Sequence, residues 1–309
     1  MIMNKMFSVL KRYISAVAMF SASVVLCVGS LSSCAKQGGP SVDDDSLSGR
    51  IGFSAQGVAV QAMTKASVLT SLSSFYVTGT TGSAGSHVKA FQNARFVLNG
   101  EDFVGEVYWP ASDPSYHFFA CNVPMEFRPE GTCVWADSET DVVYAYLESP
   151  TYHKRNTLTF KHAFALLDNV EVVAAAGYSI SDVNITFIPK AGGTFDIRNG
   201  YGRTDGTGWG DVVDGQSKRI ASAVGNNANT VFTVPGTYTM VASWKATLIG
   251  SAYAGDTFSG MCSEVTLVGG KRNVITATLG GYAQGISFKV TVLPWDIYDI
   301  GEAAFPVGN

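Results

Sequence analysis

Apolar and polar positions alternate in short runs along most of this chain, the period of two that half-buried β-strands require. The first run sets Ile51, Phe53 and Ala55 among small or polar residues. Val58 and Val60 resume it after Gly57, and the change of phase predicts a bulge or bend there. Further strands are predicted at 74–78, 95–98, 103–108, 116–120, 142–147, 157–160, 183–188, 193–197, 231–234 and 238–248. Asn99-Gly100 stands between two of these runs and predicts a tight type I′ hairpin. Gly269-Gly270 predicts a second hairpin, between 264–268 and 273–279. In 286–292 the alternation is strict, with Ile286, Phe288, Val290 and Val292 on one face. The run 163–176 is apolar enough for a buried helix, but its Val and Leu content and the closing Gly177 favour strands. Residues 199–217 read as a polar, glycine-rich loop, and no repeat of fixed period is found.

The composition agrees with this pattern. Glycine is abundant at 33 residues, aromatics make up 12% and charged residues 15% of the 309, a balance that favours all-β sandwiches joined by glycine turns. The length allows about two such domains, divided here as 51–156 and 157–309. A net charge of −4 gives a nucleic-acid partner no electrostatic support.

The N-terminus has the form of an export signal. Lys5, Lys11 and Arg12 precede an apolar stretch from 13 to 29, which is short for a spanning helix. Leu31-Ser32-Ser33-Cys34 then has the form of a lipobox, so residues 1–33 are predicted to be removed and the Cys34 thiol to carry lipid. Cleavage removes three basic residues and no acid, leaving 18 basic against 25 acidic residues and a net charge of −7. Residues 34–50 are rich in Gly, Ser, Pro and Asp and read as a flexible linker. Beyond them remain Cys121, Cys133 and Cys262, an odd number; Cys121 and Cys133 could bridge a small loop if their backbones come within reach.

Little in the chain points to catalysis. His87, His117, His153 and His162 have no metal-ligand spacing, and His162, in an apolar segment, reads as a hydrogen-bonded structural residue. There is no nucleophile elbow and no HExxH pair, and Gly200-Tyr201-Gly202 runs into Arg203-Thr204-Asp205 and fails the dinucleotide fingerprint. No cofactor, metal or catalytic residue is expected.

The first strand has a property of its own. Basic residues bracket it, Arg50 before and Lys65 after, so a trypsin-like protease could release Ile51, Phe53, Val58, Val60 and Met63 together. Release would open an apolar groove that a strand of another subunit could fill; otherwise the strand simply stays in place.

Four blocks resemble the fimbrillin family, the Mfa-like and FimA-like subunits of type V pili. They are Ile51-Gly52-Phe53 leading through Thr64-Lys65-Ala66 to Ser74-Phe75-Tyr76-Val77; Val107-Tyr108-Trp109-Pro110 with Tyr116-His117-Phe118-Phe119-Ala120; 158–167; and Ile286-Ser287-Phe288-Lys289-Val290 with Pro294-Trp295. The resemblance implies two tandem transthyretin-like β-sandwiches and export as an outer-membrane lipoprotein displayed on the cell surface. Asp43-Asp44-Asp45, nine residues past Cys34, resembles a surface-display signal of such lipoproteins. The family pattern further implies proteolytic removal of the first strand and polymerisation with other pilus subunits by strand exchange. In the family the cut follows an Arg; the matching residue here is Lys65, whereas a cut at Arg50 would leave the strand attached. For the donor the sequence offers Trp295, Ile297, Ile300, Phe305 and Val307, a segment that could equally close its own domain. Two rival readings are a monomeric surface lipoprotein that binds glycans through Tyr201 and Trp209, and a sandwich-fold hydrolase.

Overall fold

A computed structural model describes residues 49–56, 72–83, 86–100, 102–112, 115–128 and 131–295. The strands begin with β1 (Arg50–Gln56), β2 (Ser74–Thr81), β3 (Val88–Asn99), β4 (Asp102–Tyr108) and β5 (His117–Cys121). Then come β6 (Glu126–Arg128), β7 (Gly131–Asp137), β8 (Val143–Glu148), β9 (Asn156–Thr159) and β10 (Lys161–His162). After β11 (Ala165–Ala174), β12 (Tyr178–Phe187) and β13 (Lys190–Asp196) the chain makes a single helical turn, α1 (Ile197–Gly200). It continues through β14 (Trp209–Asp214), β15 (Lys218–Ala221), β16 (Gly225–Thr233) and β17 (Gly236–Leu248) to β18 (Asp256–Leu267), β19 (Lys271–Leu279) and β20 (Ile286–Pro294).

One sheet has eight strands in the order β10-β8-β5-β2-β3-β4-β1-β9. Its end strands, β9 and β10, are separated in the chain by Phe160 alone. The sheet must therefore curl until its ends meet, and it closes around an aromatic cluster that includes Phe53, Phe75, Phe96, Phe103, Phe118 and Phe160. Two four-stranded sheets, β16-β11-β19-β20 and β15-β12-β17-β18, form a sandwich. Val170, Val172, Ile275 and Leu279 of the first meet Ile185, Phe187, Met240 and Trp244 of the second. The indole N–H of Trp244 is satisfied in that core by the Gly280 carbonyl at 2.9 Å.

The remaining sheet, β14-β13-β7-β6, joins a hairpin that precedes Asn156 to one that follows it. Under it lies a third cluster drawn from both stretches of chain, with Phe119, Tyr144, Phe164, Phe195, Phe232 and Trp295.

The expected all-β architecture is present, and the ambiguous 163–176 run is the strand β11. It is buried because it is central, parallel to β19 on one side and antiparallel to β16 on the other. A hairpin closes here, but one residue later than expected: Asn99 ends β3 opposite Asp102 without a positive φ, so Asn99-Gly100 is not a type I′ pair, while Gly100 takes φ 66°.

Two expectations are corrected, and one question left open is answered. Gly269-Gly270 does not close a hairpin: β18 pairs with β17, while β19 pairs with β11 and β20. The turn instead carries the chain from one sheet of the sandwich to the other. Asn273 holds this crossover, accepting from the Val268 N–H at 2.9 Å and donating to the Val268, Lys271 and Leu166 carbonyls. The 199–217 stretch is not all loop, because Trp209–Asp214 forms β14 against β13. Cys121 and Cys133 are not bonded to each other; they sit in different sheets, on β5 and β7.

Candidate assembly groove

The first strand lies between two walls. Along β4 it runs antiparallel, with Arg50 opposite Tyr108, Gly52 opposite Val104 and Phe53 opposite Phe103. Along β9 it runs parallel, from Phe53 opposite Asn156 to Gln56 opposite Thr159. Among the described residues β9 pairs with no strand but β1. The closure of the eight-stranded sheet therefore passes through β1.

Side chains fix β1 as firmly as its backbone does. Ile51 and Phe53 are fully buried. The Phe53 ring centroid lies 5.0 Å from Phe96 and 5.2 Å from Phe118, both edge to face. Burial of two such side chains contributes about 1.5–3 kcal/mol each. The backbone continues this fit beyond the ladder, with the Trp109 N–H bonded to Gly49 O at 2.9 Å and the Phe160 N–H to Gln56 O at 2.8 Å. Arg50 stays exposed, its Nε donating to the Tyr108 hydroxyl at 3.0 Å and its guanidinium 5.5 Å from the ring centre.

The two walls also touch each other. Arg155, just before β9, pairs with Asp102 at the start of β4 at 2.6 Å. Asn156 secures the turn into β9, accepting from the Thr151 N–H at 2.7 Å and donating to the Thr151 and Lys154 carbonyls. β9 as the far wall was missed by sequence reasoning; the alternation of buried Asn156 and Leu158 with exposed neighbours was the signal available.

Of the site residues expected from sequence, Arg50, Ile51, Phe53 and Trp295 fall in the described part. Cys34, Val58, Val60, Met63, Lys65, Ile297, Ile300, Phe305 and Val307 lie outside the described residues. Trp295 is buried within its own chain, its ring flat on His162 at 3.9 Å and 3° and parallel to Phe232 at 5.8 Å. His162 is a hydrogen-bonded buried residue, its Nδ1 3.0 Å from Asp141 Oδ1. Tyr201 and Trp209 are half-buried and packed internally, Trp209 against Phe164 and Phe195, Tyr201 against Tyr144 and Tyr146 and beneath the Lys161 ammonium. No His/Cys/Asp/Glu group among the described residues could hold a metal ion.

These features define a class: an all-β protein whose N-terminal strand is threaded between two walls of a sheet it closes. A family model described as fimbrillin-like (Mfa-like) matches residues 64–295, and the chain belongs to that family. The match begins beside Lys65, after β1, and ends at Trp295. Among solved structures, a fimbrial protein from Bacteroides vulgatus ATCC 8482 is similar with TM-score 0.51 at 11% identity, covering 80% of this chain and 99% of its own. A candidate cell adhesion protein from Bacteroides uniformis ATCC 8492 gives 0.45 at 14% identity, covering 80% and 98%. The tip fimbrial protein Mfa3 from Porphyromonas gingivalis, truncated at its C-terminus, gives 0.40 at 9% identity, covering 79% and 98%. No curated protein matches.

Proposed function

We propose that this chain is a surface-exposed fimbrial subunit, structural or accessory, that assembles by exchanging its first strand. It is exported as an outer-membrane lipoprotein with lipid on Cys34, and a protease of trypsin-like specificity cuts after Lys65. The cut frees β1, and the C-terminal segment of a neighbouring subunit takes its place in the fimbrium. The role is structural, with no catalytic residue assigned. The division into two tandem sandwiches, 51–156 and 157–309, belongs to the same proposal, with β9 and β10 reaching back from the second stretch to complete the sheet that β1 closes.

The observation that carries it is the position of β1 between β4 and β9. A replacement strand entering there recovers backbone pairing on both sides and refills the pockets of Ile51 and Phe53. A groove left empty exposes Phe75, Phe96 and Phe118, which makes the open form short-lived without a partner. On the donor side, Trp295 is the root: it is held by its own subunit, and Ile297, Ile300, Phe305 and Val307 are the side chains that reach the neighbour.

The test is a strain carrying Lys65→Gln as its sole copy. The proposal predicts that the subunit accumulates on the surface at monomer mass and that fibres containing it are lost. Fibres of normal subunit content would overturn it.

A further inference from the structure

Arg155 leads into β9 and Asp102 opens β4, the two strands that flank β1, yet Arg155 Nη2 and Asp102 Oδ2 meet at 2.6 Å. Strands with a third between them stand about 10 Å apart, so the pair has to cross β1 to form. It crosses on the outer face. Phe103 and Asn156, the next residue of each wall, are buried with Phe53. Side chains alternate along a strand, so Asp102 and Arg155 point outward, 21% and 41% exposed. The register places the crossing. Phe53 faces Phe103 on one side and Asn156 on the other, which brings Asp102 level with Ser54 and Arg155 level with Gly52. Gly52 is the outward position between the inward Ile51 and Phe53, and it is buried although it has no side chain. Reaching diagonally to Asp102, the Arg155 side chain passes Gly52, and glycine keeps its path clear.

We infer that the Arg155–Asp102 pair is a strap across the groove that selects the incoming strand. It admits a strand with two large apolar side chains two positions apart and glycine or alanine between them, and it disfavours a β-branched or longer residue at that middle place. The inference rests on the strand exchange proposed above and names the donor that this groove accepts. A partly exposed ion pair contributes little stability by itself. Its effect here is steric: a side chain beneath it has to lift the Arg155 stem away from Asp102, while the pockets of Ile51 and Phe53 keep the strand from moving aside. In an ordinary strand valine is preferred to glycine, so a preference for glycine at this one place is the mark of the strap.

Three labelled peptides of residues 50–65 test it, one unchanged, one with Gly52→Ala and one with Gly52→Val. Each is offered to the mature chain nicked after Lys65, and its exchange with the bound strand is followed by fluorescence anisotropy. The alanine peptide is expected to bind within about threefold of the unchanged one, and the valine peptide about tenfold more weakly. In a chain carrying Asp102→Ala, a change on the partly exposed outer face, the valine peptide is expected to equal or exceed the unchanged one. Valine binding as well as glycine in the original groove, or a valine penalty that persists without Asp102, would overturn the strap. Entry of none of the three would overturn strand exchange itself, and the selection with it. The intact chain separates the two failures, because Gly52→Val is expected to lower the urea midpoint less in the Asp102→Ala background whether or not a strand can be exchanged. Equal losses in the two backgrounds would overturn the strap alone.

Discussion

Phe53 on the first strand stands edge-on to Phe118 on β5, their centroids 5.2 Å apart and their planes at 88°. The contact reaches across the interior of the curled sheet, so β1 closes the barrel edge and also fills its centre. A strand at the start of a chain with both roles can be lost only if another strand replaces it. The proposed assembly rests on that relationship.

Phe53→Ala is therefore expected to cost about 3–5 kcal/mol of unfolding free energy, the range for a large aromatic removed from a core. The urea midpoint falls while the slope is unchanged. A loss below about 1 kcal/mol would mean that the barrel closes without the ring.

Trp295→Ala removes the stack on His162 and Phe232 and is expected to cost a similar amount, about 3–5 kcal/mol. Trp295→Phe keeps part of the stack and should cost less. Denaturant titration of the pair distinguishes an anchored root from a side chain that contributes nothing in its own subunit.

Gly192 sits at φ 156° where β13 meets β7, and a Cβ there would overlap the Ala136 carbonyl oxygen. Backbone cannot yield as a flexible side chain can. Gly192→Ala is expected to cost about 2 kcal/mol or more and to raise amide exchange in β6 and β7 ahead of β17. Unchanged exchange in β7 would contradict the reading.

Burial pushes the Cys121 thiol from 9.0 up to about 12 and the Tyr238 phenol from 10.0 up to about 12, and it raises Tyr144 as well. These groups keep their protons in the folded chain after the unfolded chain has lost them. Their share of stability is complete below about pH 9 and is lost as pH rises toward 12. Unfolding free energies measured at neutral pH and near pH 11 should differ in that direction. A stability that rises over the window would contradict it.

Much of this was legible in the chain, because burial on one face of a strand writes itself as a period of two. Ile51, Phe53 and the 286–292 strand were read that way, and Asn99-Gly100 was read from turn chemistry. Pairing was harder. Gly269-Gly270 has the residues of a hairpin turn, but pairing is set by which edges are free, and β18 is already taken by β17. Trp209–Asp214 carries few buried side chains and so leaves no alternation to find. The parallel β9, four residues long, becomes a groove wall through its neighbour rather than its own pattern. A hollow beside Trp295 is lined from five separated stretches, which no local motif reveals.

The central claim is that β1 leaves the mature subunit, and the most direct measurement is the intact mass and N-terminal sequence of the protein released from the cell surface. The account predicts a chain that begins at Ala66, with Ile51 and Phe53 gone and the groove between β4 and β9 open to a neighbour. A chain that begins at lipidated Cys34, with no shorter form beside it, would contradict the account.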